Sequence, residues 1–301
     1  MITVLGSLNM DLVTQVNITP VVGETVLGDG LNNIPGGKGG NQAAAIGKLG
    51  GNVRMLGKVG NDAYGVKLIE SLNESGVNIE NIQKSDKSTG LAFIMVNNNG
   101  DNSIVVIPGA NFDINEEDVL NYKGLIETSD ILVSQLETPL DVVEKSFEIA
   151  KKSNTFTILN PAPAKKLNKS IISLTDLLTP NESELELLSG IKINTENDLL
   201  DACEAMLNSG VKNLIVTLGE KGSLFYNSEG YEKFEALKVK AIDTTAAGDS
   251  FTGAIAFCVD NGESIKDAIK TATNVAAFSV TKKGAQSSLP TLEELKEFMG
   301  E

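Results

Sequence analysis

Short runs rich in β-branched residues alternate with amphipathic stretches along the whole chain. Four of these runs predict β-strands, at residues 53–59, 131–134, 155–160 and 213–217. The stretches between them carry apolar residues at helical spacing, and this alternation predicts a doubly wound, mainly parallel sheet of the α/β class. Ligands bind such sheets where strands end and helices begin, so polar and glycine-rich clusters at these junctions are candidate sites.

Two segments interrupt the alternation and predict a small second sheet. Residues 12–33 are polar and punctuated by glycines, and residues 89–107 have the pattern of a β-hairpin around a turn at 97–100. Since one face of such a sheet is apolar, it is a candidate lid over the site, a dimer surface, or both. The 301 residues are too few for two independent enzymes, so we expect a single domain over 1–301 that includes this lid.

The charge balance narrows the classes of ligand. The chain carries 40 acidic and 25 basic side chains, a formal net charge of -15, so we expect neither a nucleic-acid nor a membrane partner. A nucleotide site would have to be locally positive through backbone amides, a cation or a few lysines. The absence of histidine excludes His-dependent triads and His-ligated metals, so acid–base chemistry falls to carboxylates, lysine or tyrosine.

The cysteines and the amino terminus indicate a cellular compartment. Cys203 and Cys258 lie in apolar helical patterns without partners at metal or redox spacing, which predicts reduced core residues. Met1 is followed directly by a strand-like run with no basic leader, and no apolar run approaches the length of a membrane span. We therefore expect a cytoplasmic protein.

The strongest cluster of candidate chemistry covers residues 243–253. It follows a strand-like run at 239–242 and opens an apolar helix. The small residues Ala246, Ala247 and Gly248 let backbone amides crowd at the start of that helix. Free N–H donors at the positive end of the helix dipole suit the charge that develops on a transferring phosphoryl group.

Asp249 lies in the first turn of the same helix. Its carboxylate could accept the proton of an attacking hydroxyl group while that hydroxyl faces the phosphorus bound by the amides. Alternatively, Asp249 only complements the helix dipole, and the motif by itself favours neither interpretation.

A second glycine-rich cluster, residues 35–45, also leads into a helix start. It is not a Walker loop, because its lysine precedes the second pair of glycines and no Ser or Thr follows. It is therefore better suited to a polyol than to a triphosphate, with Lys38 and Asn41 as polar contacts. The alternative is a tight turn in which Asn41 caps the helix.

Three weaker signals remain, each with an ordinary structural alternative. Asn9 and Asp11 alternate onto one side of an extended chain and could bind adjacent sugar hydroxyls, although both residues are common at strand ends. Asn181 and Glu184, three apart at a helix start, could hold Mg²⁺ through water, but spacing alone favours a capping box. Residues 217–222 could contact nucleotide phosphates or form a plain hairpin turn.

Together these clusters resemble the ribokinase family of ATP-dependent carbohydrate kinases, from Val4 to about Pro290. The resemblance implies a three-layer α/β/α fold with a small β-sheet lid, and phosphorylation by ATP. The lysine in the glycine-rich loop resembles the form found in ribose kinases and implies phosphorylation of D-ribose at its 5-hydroxyl. Other small sugars or nucleosides (fructose, deoxyribose, adenosine) and a non-catalytic sugar sensor remain alternatives.

The resemblance also implies roles for individual residues, including Glu137, which a local pattern does not single out. Asp249 would be the base, with anion-hole amides at Ala246, Ala247 and Gly248. The residues implied to line the sugar site are Asn9, Asp11, Gly37, Lys38, Asn41, Glu137 and Asp249. The residues implied to bind ATP are Asn181, Thr217, Gly219, Lys221, Gly222, Gly248, Thr273 and Asn274.

Two cations and a dimer complete what the resemblance implies. Mg²⁺ would be held by Glu184 through water. A monovalent cation, K⁺, would lie among Asp243, Thr245, Ser279, Lys282, Gly284 and Ser288, mostly through backbone carbonyls. A homodimer would form through the lids, from the apolar strand 91–96. One departure is Ala246, which stands where the family motif usually has its first glycine and restricts the backbone angles there.

Overall fold

The computed structural model describes residues 1–300. Its β-strands are β1 Ile2–Leu5, β2 Asn9–Gln15, β3 Asn32–Gly36, β4 Val53–Gly60, β5 Ile82–Ser85, β6 Gly90–Val96, β7 Asn102–Ile107, β8 Ile131–Ser134, β9 Phe156–Leu159, β10 Leu177–Leu178, β11 Asn213–Thr217, β12 Ser223–Asn227 and β13 Gly230–Phe234. Its α-helices are α1 Lys38–Lys48, α2 Ala63–Glu74, α3 Glu116–Asn121, α4 Lys123–Glu127, α5 Leu140–Lys152, α6 Lys169–Ser173, α7 Glu182–Ser189, α8 Glu196–Asn208, α9 Ala247–Asp260, α10 Ile265–Ser279 and α11 Leu292–Met299. Short 3₁₀ turns cover Gly109–Phe112, Gly219–Lys221 and Gln286–Ser288.

Nine strands form the central sheet, in the order β13-β12-β11-β10-β9-β8-β1-β4-β5. β1 pairs in parallel with both β4 and β8, with Ile2 opposite Val53 on one side and Ile131 on the other. The chain therefore builds outward from β1 to β5 and then crosses to β8 to build the other half. β12 and β13 are antiparallel additions at one edge. The predicted doubly wound, mainly parallel sheet is confirmed, and its switch point lies between β1 and β8.

Helices cover both faces of this sheet and enclose two apolar cores. Ile2 and Val4 of β1 point into the core beneath α1, α2, α9, α10 and α11, whereas Leu5 points into the core beneath α3 to α8. The alternation follows from the strand period of two, since neighbouring side chains leave opposite faces of the sheet. Cys258 lies in the first core and Cys203 in the second, both as free thiols, as predicted.

Four strands form a separate sheet in the order β3-β2-β6-β7. β6 and β7 are an antiparallel hairpin, and β2 joins them by parallel pairing with β6. This sheet begins earlier than the sequence pattern suggested, because β2 starts at Asn9. Residues 16–31 carry no strand, only an isolated bridge between Val16 and Gly28.

The expectation of a strand at 239–242 is wrong. These residues are irregular, and the Ile242 amide donates to the Val280 carbonyl (2.7 Å) at the end of α10. The Ile242 side chain is 57% exposed, so its apolar character does not bury it in a sheet. No helix within residues 1–300 is long and apolar enough to cross a membrane.

Candidate functional site

A cavity of about 220 Å³ opens at the carboxyl ends of β9, β10 and β11, beside the start of α9. In a parallel sheet the carboxyl ends of all strands lie on the same side, so residues far apart in sequence meet there. The lining residues are Lys38, Asn160, Ala162, Thr179, Asn181, Glu184, Thr217, Thr244, Ala246, Ala247, Gly248 and Asp249.

The start of α9 has free backbone donors. Ala246 is the N-cap and has φ +62° and ψ 8°, in the left-handed region. The Ala247 amide donates to the Thr244 carbonyl (3.2 Å), so one of the three predicted anion-hole positions is occupied by the chain itself. Among residues 1–300, the amides of Ala246, Gly248 and Asp249 have no acceptor, and the helical ladder starts with Ser250. Three donors are thus available around the positive end of the helix, two of them within α9.

Asp249 is buried and held in place by α1. Its Oδ2 accepts from Asn41 Nδ2 (2.9 Å) and its Oδ1 from Gln42 Nε2 (3.1 Å). The two helices approach closely at Gly253, where a Cβ would lie 2.8 Å from the Ala45 Cβ and 2.9 Å from the Gln42 carbonyl oxygen. These contacts join the glycine-rich loop to the start of α9 across about two hundred residues of chain.

Gln42 belongs to a buried chain of carboxamides that the sequence prediction did not include. Its Oε1 accepts from Gln135 Nε2 (2.7 Å), and its Nε2 also lies 3.3 Å from Asn160 Oδ1. Asn160 Nδ2 in turn donates to the Thr179 carbonyl (3.0 Å). Since Gln135 donates to Gln42, the amino group of Gln42 must point toward Asp249. The only sequence signal was its position beside Asn41.

Glu137 is at the centre of the predicted sugar-binding residues. Its Oε2 accepts from Ser7 Oγ (2.5 Å) and from the Lys38 amide (3.0 Å), and Asn9 Nδ2 lies 3.4 Å away. Ser7 was not predicted, although it lies only two residues before Asn9. Gly37 has φ +84°, and a Cβ there would lie 2.6 Å from the Asn9 amide nitrogen, so only glycine fits.

Asp11 completes this cluster and has an unusual pKa. Burial, together with the negative charges of Glu137 and Asp249, raises the pKa of Asp11 to about 7, against the opposing effect of Lys38. The Asp11 carboxylate packs on Gly36, where a Cβ would lie 2.4 Å from Oδ2. The structure therefore brings Asn9, Asp11, Gly37, Lys38, Asn41, Glu137 and Asp249 into one region.

Lys38 places one positive charge among the carboxylates of this region. Attraction by Asp249 outweighs burial and raises the pKa of Lys38, with further contributions from Glu137, Glu184 and Asp11. The ammonium group is thus charged at neutral pH and surrounded by carboxylates.

A second cavity of about 200 Å³ lies beside Asn9 and Glu137, next to β7. Its polar lining residues are Asn9, Asn111, Glu137 and Lys165, and the other lining residues are apolar. Its lining residues are Asn9, Val106, Pro108, Asn111, Phe112, Leu136, Glu137, Pro163 and Lys165.

Asn181 and Glu184 form the capping box that spacing alone favoured. The Glu184 amide donates to Asn181 Oδ1 (2.8 Å), and the Asn181 amide donates to Glu184 Oε2 (2.9 Å). Both residues also line the 220 Å³ cavity. Burial raises the pKa of Glu184, because the hydrogen bond from Asn181 and the charge of Lys38 only partly offset it and Asp249 adds to it. The capping role therefore does not remove the carboxylate from the site.

The remaining predicted nucleotide residues divide into two groups. Thr217 ends β11 and lines the cavity. Gly219, Lys221 and Gly222 form the tight turn between antiparallel β11 and β12, outside the cavity lining. Thr273 and Asn274 lie in the middle of α10, also outside that lining.

The six predicted cation-site residues lie in the loop before α9, at the end of α10 and in the turns that follow it, and contacts within the set join Asp243 to Thr245 and Gly284. Asp243 accepts from the Thr245 amide (2.9 Å), the Thr245 hydroxyl (2.6 Å) and the Gly284 amide (2.9 Å). Burial alone would raise the pKa of Asp243, but these hydrogen bonds hold it below its ordinary value. The Lys282 ammonium pairs with Glu294 (2.9 Å).

The two serines of the set are bonded locally, Ser279 to the Ala276 carbonyl (2.9 Å) and Ser288 to the Ala285 carbonyl (2.8 Å). Within residues 1–300, no cluster of three or more Asp, Glu, Cys or His side chains could hold a metal ion.

Comparisons with known proteins point to one family. The model of the pfkB family of carbohydrate kinases matches residues 1–292. A ribokinase of Haemophilus influenzae is 40% identical over 300 residues, covering 99% of this chain and 98% of that protein. A deoxyribokinase of Salmonella typhi is 39% identical over 301 residues, with the same coverage of 99% and 98%. The structure of Arabidopsis thaliana ribokinase complexed with ribose and ATP is similar with a TM-score of 0.92 at 28% identity, covering 99% of this chain and 98% of that one.

Proposed function

The chain belongs to the pfkB family of carbohydrate kinases, and from this premise we propose that it transfers the γ-phosphoryl group of ATP to the 5-hydroxyl group of D-ribose. One observation carries the proposal. Asp249 and two free amides of α9 share a cavity with Lys38 and Glu184, and Asn41 ties the Asp249 carboxylate to the glycine-rich loop. A base, an anion hole and an acceptor loop therefore meet at one place.

Asp249 is the general base of the proposed reaction. The acceptor sugar lies among Asn9, Asp11, Gly37, Lys38, Asn41 and Glu137, with its 5-hydroxyl beside Asp249. The hydroxyl oxygen bonds to the γ-phosphorus as the bond to the bridging oxygen breaks, and ADP leaves with that electron pair. The hydroxyl proton passes to Asp249. The amides of Gly248 and Asp249 and the Lys38 ammonium stabilise the developing negative charge.

ATP is the phosphoryl donor, bound on the β10–β11 side of the cavity. We assign Asn181, Thr217 and Gly248 to its phosphates. The other family-implied contacts are Gly219, Lys221, Gly222, Thr273 and Asn274, whose positions outside the cavity lining suit the nucleoside end of the donor.

Glu184 fits the role of a water-mediated Mg²⁺ ligand. It is a buried carboxylate in the cavity wall, and its capping hydrogen bond engages only Oε2. Carboxylates that bind Mg²⁺ together with water and substrate phosphates are the usual protein contribution to such sites. When bound, Mg²⁺ compensates phosphate charge.

K⁺ is the further cation of the proposal, among Asp243, Thr245, Ser279, Lys282, Gly284 and Ser288. Asp243 and Thr245 lie in the loop that leads directly into Ala246 and the free amides of α9, and Asp243 accepts a hydrogen bond from the Gly284 amide. A cation there would order the anion hole, so we expect faster turnover in KCl than in NaCl at equal ionic strength. Equal rates in the two salts would argue against the cation site.

A homodimer through the lids is the proposed assembly. β7 leaves Ile104, Val105, Val106 and Ile107 between 41% and 60% exposed, and β6 exposes Phe93. A contiguous apolar strand surface of this kind is uncommon on a monomer. A second lid of the same chain would cover it.

The substrate is tested by measuring ADP release with ribose, deoxyribose, fructose and adenosine in the presence of Mg²⁺. We expect the highest kcat/KM with ribose. The deoxyribokinase of Salmonella typhi makes deoxyribose the second candidate, and a higher kcat/KM for deoxyribose would select it. Sugar binding by calorimetry without any ADP release would indicate a non-catalytic sensor and overturn the proposal.

A further inference from the structure

Asn111 is a buried side chain at the foot of the lid that neither the sequence motifs nor the proposed reaction uses. It lies in the 3₁₀ turn Gly109–Phe112, directly after β7, and is 2% exposed. Its Oδ1 accepts from the Leu8 amide (2.8 Å), and its Nδ2 donates to the Leu8 carbonyl (3.2 Å). Because the N–H and C=O of one residue contact both ends of the carboxamide, Asn111 has a single satisfied orientation.

That orientation determines how Asn9 is turned. Asn111 Nδ2 also donates to Asn9 Oδ1 (2.7 Å), so the Asn9 amino group points the other way and lies 3.4 Å from Glu137 Oε2. A half-turn of the Asn9 amide would place two amino groups against each other and bring the Asn9 oxygen toward the Glu137 carboxylate. Asn111 therefore selects the state in which Asn9 is a donor at the acceptor pocket.

The contact between Asn9 and Asn111 is enclosed by the start of the lid. A Cβ at Gly90, the first residue of β6, would lie 2.2 Å from Asn9 Oδ1 and 2.3 Å from Asn111 Nδ2. The Ala110 amide donates to the Ser88 carbonyl (2.8 Å) beside it. The strand that enters the lid and the turn that leaves it thus close on the same pair of amides.

The turn that carries Asn111 is anchored to the central sheet. Lys58, in β4, donates to the Asp113 carbonyl (3.2 Å) and pairs with the Asp118 carboxylate (2.7 Å). Both charged side chains of this pair are largely buried, which makes the pair costly to break. The position of Asn111 is therefore set by the core of the protein.

We propose that Asn111 is a positioning residue for the acceptor sugar. It holds the Asn9 amide as a hydrogen-bond donor toward a sugar hydroxyl, beside Glu137 as the acceptor. Asn111 acts through Asn9. The inference rests on the proposed sugar kinase function and names a residue that controls its acceptor site.

The test is a double-mutant cycle on steady-state kinetics with Asn9→Ala, Asn111→Ala and the double variant. We expect Asn111→Ala to raise the KM for ribose about tenfold, with kcat within about threefold and the KM for ATP unchanged. In the Asn9→Ala background the same substitution should add less than about twofold, because its effect passes through Asn9.

Asn111→Asp keeps the size of the side chain and serves if Asn111→Ala does not fold. Its carboxylate would oppose the Leu8 carbonyl and favour the reversed Asn9 amide, so the KM for ribose should rise at least as much as in Asn111→Ala. Thr155→Ala is the matched control. Thr155 is buried and donates to the Ile126 and Ser129 carbonyls at the amino end of β9, at the end of the strands opposite the cavities. The substitution should lower the Tm without changing the KM for ribose.

Two results would overturn the positioning role. One is an unchanged KM for ribose in both Asn111 variants. The other is the same fold-increase in wild-type and Asn9→Ala backgrounds, which would indicate a general structural effect. If wild-type protein releases no ADP with ribose, the proposed function has failed instead. Calorimetric binding of ribose to wild type and Asn111→Asp then still tests whether Asn111 controls the acceptor site.

Discussion

Asp249 differs from an aspartate that only complements a helix dipole. Both of its oxygens accept from carboxamides of α1, and the residue lines the cavity of about 220 Å³. Asp267 is a suitable comparison, because it lies in the first turn of α10 but bonds to Ser264 and Lys270 at the surface. Substitutions at the two positions therefore test the catalytic interpretation against the dipole interpretation.

Asp249→Asn should lower kcat by about two to four orders of magnitude, because the base is lost while the size of the side chain is kept. Ribose binding by calorimetry should be largely unchanged. Asp267→Asn is the control and should leave kcat within about twofold. A near wild-type kcat in Asp249→Asn would remove Asp249 from the mechanism.

Asp11 should make stability depend on pH. Its pKa is about 7 in the folded protein and near 3.8 in an unfolded chain, so the folded state binds more protons between these values. The contribution of Asp11 to the free energy of unfolding is therefore fully present below about pH 4 and is lost as the pH rises through 7.

Asp11→Asn should remove this loss and raise the free energy of unfolding by on the order of 2 kcal/mol at pH 8. Urea unfolding of the wild type and of Asp11→Asn at pH 5 and pH 8 measures this gain in the free energy of unfolding, which should be smaller at pH 5. An equal difference at the two pH values would show that Asp11 is not the titrating group.

At the scale of single elements, the start of α9 combines strain with function. Ala246 has φ +62°, where an L-residue with a Cβ is disfavoured and glycine is not. The left-handed residue turns the irregular segment 235–246 into the helix and leaves the Gly248 and Asp249 amides free. The sequence had already marked this alanine as the departure from the family motif.

Ala246→Gly should raise the free energy of unfolding by about 1 kcal/mol, because it relieves the left-handed strain. Thermal or urea unfolding measures the change. Asn154 has a similar φ of +59°, and Asn154→Gly is the control, with an expected gain below about 0.5 kcal/mol since asparagine tolerates this region. A loss of stability in Ala246→Gly would contradict the strain argument.

The start of α7 tests whether Glu184 has a role beyond its capping box. Glu184→Gln keeps a capping side chain, so the free energy of unfolding should change by less than about 0.5 kcal/mol. The Mg²⁺ concentration for half-maximal rate should rise about tenfold or more, because the carboxylate is lost. Asp198→Asn in the equivalent capping box of α8 is the control. An unchanged Mg²⁺ dependence in Glu184→Gln would leave capping as its only role.

At the scale of the whole molecule, the lid connects the site to the proposed assembly. Val106 and Pro108 line the second cavity, while neighbouring residues of β7 are exposed outside it. The same strand therefore borders the second cavity and presents an apolar edge to solvent. Pairing of two lids would bury that edge and stabilise the cover over each site.

Val105→Lys should convert the proposed dimer into a monomer, because it places a charge in the centre of the apolar surface. Light scattering after size exclusion measures the mass directly. Leu120→Lys, at a similarly exposed leucine of α3, should leave the mass unchanged. A wild-type mass of one chain would contradict the dimer.

The sequence by itself determined most of the elements and the position of the clusters that meet at the candidate site. Strands at 131–134 and 213–217 were predicted with the bounds they have, because hydrophobic periodicity and turn residues act locally. The clusters around Gly37 and Gly248 were found for the same reason, since helix starts carry their own residue signals. Only the family resemblance identified Glu137.

The tertiary structure decided which side chains meet and in which orientation. Gln42, Gln135, Asn160 and Asn111 are amides with many possible roles, and their roles depend on partners far away in the sequence. Similarly, the apolar run at 239–242 had no neighbouring strand to pair with, so a strand pattern became a loop. Local patterns specify what an element is, but contacts between elements specify where a hydrogen bond points, and a site depends on the second.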